Sequence, residues 1–327
     1  MTAVRAILAA VAALCVFTVV APAHAHDVRP GALAFRELEA GRYGVRVTAP
    51  MDGGRGQIDL LPELPDGCTY EPDGVFCDDA LEGTIRIPAL EERRVKVMVH
   101  VQWLDGTRFE ALLREGESTV DLVRPAPDAP PPSATELAGD WFVLGVEHII
   151  FGYDHLLFVL GLALVARRFR RVAWAITGFT VAHSITLVSA AIGWLVAPSA
   201  SVELLIAASI LLLAHEAATD RETLTRRMPW AVALGFGLVH GFGFAGAIGD
   251  LGLPQNHTLV ALLTFNLGVE IGQLAVLALA GLVALAVTRV TTPPWPARLR
   301  VAAAWAIGLV AGVWTVGRAV GWALELV

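Results

Sequence analysis

The sequence predicts an all-α polytopic membrane protein of six transmembrane helices, preceded by an exported all-β sandwich-like domain. Two observations predict this division. The chain is 55% hydrophobic and only 17% charged, which is unusual for a soluble protein of 327 residues. Most of its acidic residues lie before position 140, whereas apolar stretches long enough to cross a bilayer follow that point. A polar first part is therefore joined to a lipid-soluble remainder.

Residues 1–25 are predicted to be a cleaved signal peptide. Arg5 supplies the positive start, an apolar stretch follows, and Ala23-His24-Ala25 matches the small-residue pattern of a cleavage site. Cleavage there leaves His26 as the first residue of the mature chain, and cleavage after Ala23 is the alternative. Either site would deliver the following segment to the outside of the cytoplasm.

Residues 26–124 are predicted to form the exported β domain. Short runs with partial alternation, such as "YGVRVTAP" and "RRVKVMVHVQW", are separated by turns rich in Gly, Pro and Asp. Cys68 and Cys77 bracket one such turn, and an even pair in an exported segment predicts a disulfide. The proline-rich residues 125–140 are predicted to be an extended linker.

Residues 141–327 are predicted to be the transmembrane domain. Arginines are concentrated in the first, third and fifth loops between the spans, whereas the second and fourth loops carry neither Lys nor Arg. The positive-inside rule then places both ends of the mature chain outside the cytoplasm of a multi-pass protein in a bacterial inner (cell) membrane. The six predicted spans are 141–166, 172–196, 202–219, 229–250, 258–288 and 301–325.

Ionisable side chains occur at a similar depth in four of these spans. Placing a charge at the bilayer centre costs about 2.5–3.5 kcal/mol, so such residues normally face a cavity or a partner. A single histidine in a span is also explained by an interhelical hydrogen bond, but five polar groups at one depth favour a binding site. The five are Asp154, His155, His183, His240 and Glu270.

The first span carries a second polar pair. Glu147 and His148 lie seven positions before Asp154 and His155, which is two turns along one face of a continuous helix. We therefore expect the first pair nearer the outer surface and the second at the centre. Arg318 in the sixth span has two interpretations: it balances a carboxylate, or it extends its charged end towards water.

Histidine and carboxylate ligands indicate the kind of ion. They suit Ni²⁺, Co²⁺ or Zn²⁺, whereas Mg²⁺ and Ca²⁺ prefer oxygen ligands alone. We expect a divalent metal ion and the lipid bilayer as partners, no prosthetic group and no nucleic acid, and we predict no particular protein partner. Glu147 and His26 are expected to capture the ion outside. The predicted metal ligands are His148, Asp154, His155, His183, His240 and Glu270.

The stretch "HIIFGYDH", residues 148–155, matches the H-x5-D-H signature of the HupE/UreJ family. Members of this family are regarded as nickel or cobalt permeases. The chain resembles them from about residue 141 to 327, and its β domain resembles the extended branch of the family. The resemblance implies ligand roles for His148, Asp154, His155 and His240.

A second signature of that family is only partly present. "VHGFGFAGAIGD" keeps His240-Gly241, has Val239 in place of a phenylalanine, and has Ala247 where the family has a glutamate. Glu270 on the next span is our own candidate for the missing carboxylate.

The sequence therefore predicts a transporter of Ni²⁺ or Co²⁺ rather than an enzyme. Three alternatives remain open. The same ligands could hold Zn²⁺ or iron in a membrane-embedded hydrolase or oxidase. The histidine pairs could ligate haem, or the chain could be a sensor whose β domain binds a partner.

Overall fold

A computed structural model describes residues 31–48, 60–91, 97–113, 116–126, 134–195, 197–219, 221–251, 257–290 and 295–325. They belong to two compact units, one rich in strands and one helical. The predicted signal peptide, 1–25, and His26 lie outside the described residues. The prediction of a β-rich region followed by a helical membrane region is confirmed at this level.

The β unit contains a mixed six-stranded sheet and a separate pair of strands. The strands are β1 Gly31–Glu39, β2 Arg42–Thr48, β3 Cys68–Glu71, β4 Gly74–Cys77, β5 Gly83–Arg86, β6 Val97–Gln102, β7 Arg108–Leu113 and β8 Thr119–Leu122. The larger sheet has the order β3-β4-β2-β1-β6-β7, and β5 pairs with β8. Neighbouring strands are antiparallel, except that β1 and β6 are parallel.

Alternation along the strands builds an apolar core. Every second residue of β6, beginning at Val97, is buried, as expected when one face of a sheet is covered. Phe35 from the larger sheet and Ile85 from the smaller one belong to the same cluster of buried side chains. A disulfide joins Cys68 to Cys77, which are directly opposite each other on β3 and β4. The core thus includes side chains from both sheets.

The helical unit contains α1 Ala134–Phe151, α2 Tyr153–Ala166, α3 Phe169–Ala191, α4 Ser199–Ala218, α5 Leu224–Arg227, α6 Pro229–Leu251, α7 Thr258–Val290 and α8 Trp295–Glu325. Four of these, α3, α4, α7 and α8, are long and apolar enough to cross a membrane. The pair α1 and α2 passes the same test together, and Pro229–Phe244 of α6 is a shorter apolar helix. The chain is therefore a multi-pass membrane protein.

Two predicted boundaries need correction. The first predicted span, 141–166, is not one continuous helix, because α1 and α2 meet at Gly152 with a bend of 69°. The predicted linker, 125–140, is too long, because α1 already begins at Ala134. The last proline of that segment is Pro132, and after it no residue restricts the backbone against a helix. Residues 127–133 lie outside the described part of the chain.

Close approaches between helix backbones hold the unit together around its polar centre. A Cβ atom on Gly145 of α1 would collide with the carbonyl oxygen of Phe265 in α7. A Cβ atom on Gly241 of α6 would collide with the carbonyl oxygen of His183 in α3. Small residues allow such contacts between membrane helices. They bring α1 against α7 and α6 against α3, at the level where the histidines lie.

Candidate metal site

Three histidine side chains from α1, α2 and α3 meet inside the helical unit. One ring nitrogen from each of His148, His155 and His183 lies within 4.8 Å of the others. The ring centroids are 4.6 Å apart for His148 and His155, and 6.1 Å apart for His155 and His183. The Nε2 atoms of all three are buried and have no hydrogen-bond partner among the described residues. Unsatisfied buried nitrogens at one place are the arrangement that a metal ion would complete.

The break at Gly152 is what brings the first two histidines together. Seven residues of continuous helix would separate two side chains by about 10 Å along the axis. Instead the chain turns between His148, in the last turn of α1, and His155, in the first turn of α2. A Cβ atom on Gly152 would collide with the His148 carbonyl oxygen and lie 3.2 Å from His155 Nδ1. The expected separation of these histidines into an outer and a central level is therefore wrong.

Asn266 on α7 fixes the ring orientation and the proton of His183. The Asn266 Nδ2 group donates to the Leu262 carbonyl at 2.8 Å, which directs Oδ1 towards His183 Nδ1 at 3.1 Å. Because the amide oxygen can only accept, Nδ1 of the imidazole carries the proton. The lone pair of the neutral ring then lies on Nε2, the nitrogen that has no hydrogen-bond partner among the described residues. A hydrogen bond from the far nitrogen is how most metal-binding histidines are oriented.

His240 on α6 lies beside the cluster with the opposite tautomer. The Ser209 hydroxyl donates to the Ile206 carbonyl at 2.7 Å, so its oxygen is left to accept from His240 Nε2 at 3.2 Å. His240 Nδ1 is buried and has no partner among the described residues. The His240 ring centroid is 5.2 Å from that of His155. His240 is therefore a fourth imidazole adjoining the three-histidine cluster, with its lone pair on Nδ1.

Phenylalanine rings surround these imidazoles. Phe244 lies 4.2 Å from His148 between ring centroids, and Phe158 lies 5.2 Å from His240. Phe179 stacks on His183 at 5.9 Å, with an angle of 22° between the ring planes. Apolar rings exclude water and lower the local dielectric constant, which strengthens coordination to a bound cation. This lining could not be predicted from the sequence, because phenylalanines are common on apolar helices and nothing in the sequence distinguishes these from lipid-facing ones.

Asp154 lies next to His155 but is bound to an arginine. Its Oδ2 accepts from Arg318 Nη2 on α8 at 2.9 Å, and its Oδ1 is buried without a partner in the described structure. Of the two interpretations of Arg318, this contact corresponds to the one in which it balances a carboxylate. Asp154 is not among the three residues whose ligand atoms cluster.

A polar row connects α3 to α7 on one side of the cluster. It starts at His183 and Asn266 and continues with Thr180, whose hydroxyl donates to Gln273 Oε1 at 3.3 Å. Glu270 accepts a hydrogen bond of 2.7 Å from Thr177, so it too faces α3. Glu270 Oε2 has no partner in the described part of the chain. Glu270 therefore lies about one helical turn along α7 from Asn266 and does not join the histidine cluster.

Two of the remaining positions considered from the sequence lie on helices of the described structure, and one does not. Glu147 on α1 directly precedes His148. Ala247, the position of the family's glutamate, lies on α6. His26 lies outside the described residues. Ser209, which orients His240, was not singled out from the sequence, because a serine on an apolar helix carries no signal until its neighbour on another helix is known.

The helices and the site define a class: a multi-pass membrane protein with a cluster of buried histidines, preceded by a β-rich region. The family model described as HupE / UreJ protein matches residues 129–318, more than half of the chain. The chain belongs to the HupE/UreJ family, so the resemblance predicted from its motifs is confirmed. This family is associated with metal-ion transport and is of a transporter type. No curated protein and no solved structure matches the chain.

Proposed function

We propose that this protein carries a divalent transition-metal ion, Ni²⁺ or Co²⁺, across the inner membrane through its buried histidines. The observation that carries the proposal is the meeting of His148, His155 and His183 with three unpartnered Nε2 atoms. Neutral imidazole is a ligand for borderline divalent ions, and Zn²⁺ is the third ion that suits it. The cargo is bound transiently, and no prosthetic group is part of the proposal.

The ligand set has a centre and a periphery. The three clustered histidines form the centre, and His240 supplies a fourth imidazole through Nδ1. Asp154 and Glu270 are the peripheral carboxylates. They bring negative charge to a site whose imidazoles are neutral, which suits a divalent cation that must leave water. Because the site offers more ligands than one tetrahedral ion needs, an ion can exchange ligands as it moves.

The broken helix supports a transport role over a purely structural one. Interrupted helices in secondary transporters lie near the middle of the membrane, where they expose backbone and side-chain ligands to the cargo. Here the break at Gly152 lies between His148 and His155. We infer six spans, with α1 and α2 forming the first and α6 the fourth. The β unit, in our proposal a sandwich, then lies outside the cytoplasm.

The direction follows from the loop charges and the outer polar residues. The ion would approach from the side of the β unit, past His26 and Glu147, and bind at the histidines. It would leave towards the loops rich in arginine, which the positive-inside rule assigns to the cytoplasm.

Uptake of radioactive Ni²⁺ and Co²⁺ into proteoliposomes tests the proposal. We expect His155→Ala and Asp154→Asn to lower the initial rate by at least about a hundredfold, since even outer partners of metal ligands are worth roughly 10–100-fold. The control is His215→Ala, because His215 is an exposed histidine near the end of α4, away from the cluster. This variant should transport like the wild type.

Two results would contradict transport. If His155→Ala takes up Ni²⁺ as fast as the wild type, the cluster is not on the path. If the wild type shows no uptake but retains one metal ion per chain after purification, a membrane-embedded metalloenzyme is the better interpretation, because three histidines also form a catalytic zinc site. A Soret band in the purified protein would instead indicate haem.

A further inference from the structure

Arg318 is a charged side chain in an otherwise apolar part of α8, and it is tied to two other helices. Its Nη2 group donates to Asp154 Oδ2 of α2 at 2.9 Å, and its Nη1 group donates to the Glu203 carbonyl of α4 at 2.9 Å. The guanidinium carbon lies 5.8 Å from the centre of the Trp314 ring. The side chains of Arg318 and Asp154 are only 14% and 18% exposed. The Arg318–Asp154 contact is therefore mostly shielded from solvent, unlike an ion pair at a protein surface.

Arg318 binds a carboxylate that adjoins a histidine of the cluster in the chain. Asp154 directly precedes His155, and its second oxygen, Oδ1, is buried without a partner among the described residues. A cation that binds the histidines would therefore come close to the guanidinium. Two positive groups that lie close together repel strongly where water is excluded. Occupation of the metal site and retention of the Asp154–Arg318 contact must then oppose each other.

We propose that Arg318 is an internal counter-cation that competes with the metal ion for Asp154. In the metal-free site, the guanidinium neutralises the buried carboxylate, which would otherwise be left charged and unpaired in an apolar region. An arriving ion takes over the carboxylate and displaces Nη2, while the Glu203 carbonyl and the Trp314 ring retain the guanidinium nearby. Return of Arg318 to Asp154 then favours release of the ion. Arg318 is a positioning residue and not a metal ligand.

The competition has a consequence that a merely structural ion pair would not have. If Arg318 only stabilised the helices, removing it would weaken metal binding together with the fold. If it competes with the metal, removing its charge strengthens metal binding, because the carboxylate is no longer shared. The sign of the change in affinity therefore separates the two roles.

Equilibrium dialysis of the full-length, detergent-purified protein with radioactive Ni²⁺ tests this inference, which rests on the proposed function. We expect Arg318→Gln to bind Ni²⁺ more tightly than the wild type, by a factor within the roughly 5–150-fold range of coupled sites. Arg318→Lys keeps the charge and should stay near the wild type. The matched control is Arg300→Gln, since Arg300 also lies on α8 and donates to an α4 carbonyl, that of Ala217, at 2.6 Å.

A second background keeps the test decisive if Arg318→Gln folds poorly. In Asp154→Asn, the guanidinium has no carboxylate to compete for, so adding Arg318→Gln should change the Ni²⁺ affinity much less than it does in the wild type. An equal change in both backgrounds, or weaker binding by a folded Arg318→Gln protein, overturns the inference.

Proteoliposome uptake separates this inference from the proposed function. Tighter binding should slow release, so Arg318→Gln should transport more slowly than the wild type. A wild type that binds Ni²⁺ but does not transport it contradicts the transporter, while the dialysis still decides the role of Arg318. A wild type that binds neither Ni²⁺ nor Co²⁺ overturns both.

Discussion

The two units of this protein differ in the polar side chains that they bury. In the β unit the core consists of residues such as Phe35, Ile85 and Val99, and the ion pair of Arg86 with Glu91 has both side chains 45% exposed. The helical unit also has an apolar core, with residues such as Leu162 and Ile210, but it buries imidazoles and amides as well. The buried histidines, threonines, serine, glutamate, asparagine and glutamine of the described chain all belong to the helical unit.

This difference shows where stability and function reside. Burial of apolar surface from water stabilises the β unit, so its polar groups can remain at the surface. Moving a leucine from lipid into the protein interior gains little free energy, because lipid is equally apolar. Close packing and internal polar contacts therefore become important between membrane helices. Polar groups are costly in lipid, so those that are present in membrane helices usually have a function. We therefore expect substitutions in the core of the β unit to change its stability, and substitutions at the site of the helical unit to change metal binding.

The largest expected effect comes from the β-unit core. Phe35→Ala removes a ring that is 1% exposed, which should destabilise the unit by about 3–5 kcal/mol. Hydrogen–deuterium exchange should then accelerate in β1 and β6, while Ni²⁺ affinity in detergent stays unchanged. Phe35→Leu, which keeps most of the apolar volume, is the control and should lose less stability than Phe35→Ala. A fall in Ni²⁺ affinity would show that the two units are not separable in this way.

A smaller effect is expected from the residue that orients His183. Asn266→Ala leaves His183 Nδ1 without its acceptor, so the ring loses its fixed tautomer, and Ni²⁺ affinity should fall roughly 10–100-fold. Asn266→Asp keeps an oxygen acceptor and should retain most of the affinity. Equilibrium dialysis measures both. Equal affinities for Asn266→Ala and the wild type would mean that the neighbouring helices alone hold the imidazole.

The smallest effect concerns acid stability at the β6–β7 turn. Hydrogen bonds from the Thr107 hydroxyl and backbone, and then contact with Arg124, lower the pKa of Asp105. A lowered pKa in the folded state means that this contribution is present above the usual value of about 3.9 and is lost as pH falls through the lowered pKa. In Asp105→Asn, hydrogen–deuterium exchange at this turn should no longer accelerate over that acidic range. If the turn of this variant remains as sensitive to acid as in the wild type, another carboxylate causes the sensitivity.

Much of the organisation could be predicted, because it depends on local patterns. The apolar stretches predict helices, and the alternation in "RRVKVMVHVQW" predicts the strand β6. The coincidence in depth of His155, His183 and His240 drew attention to residues that the structure brings together. The family signature in "HIIFGYDH" was sufficient for the family, which the family model confirms.

The parts that could not be predicted depend on contacts between distant residues. Asn266 reaches His183 from a helix that lies far along the chain, and Ser209 reaches His240 in the same way. Neither pairing can be recognised from the hydropathy of the neighbouring sequence. The break at Gly152 was missed because the apolar pattern continues through it, and one glycine in a membrane helix is unremarkable until its close contacts are known.

The break also changes the electrostatics of the backbone itself. Peptide dipoles add along a helix, so the end of α1 carries a partial negative charge and the start of α2 a partial positive charge. His148 lies in the last turn of α1, and Asp154 lies in the first turn of α2. A cation held by His148 is thus attracted by the end of one helix, and the carboxylate of Asp154 by the start of the next. In a continuous helix neither terminus would exist at this depth. The bend therefore lets the backbone stabilise both the cation and the carboxylate.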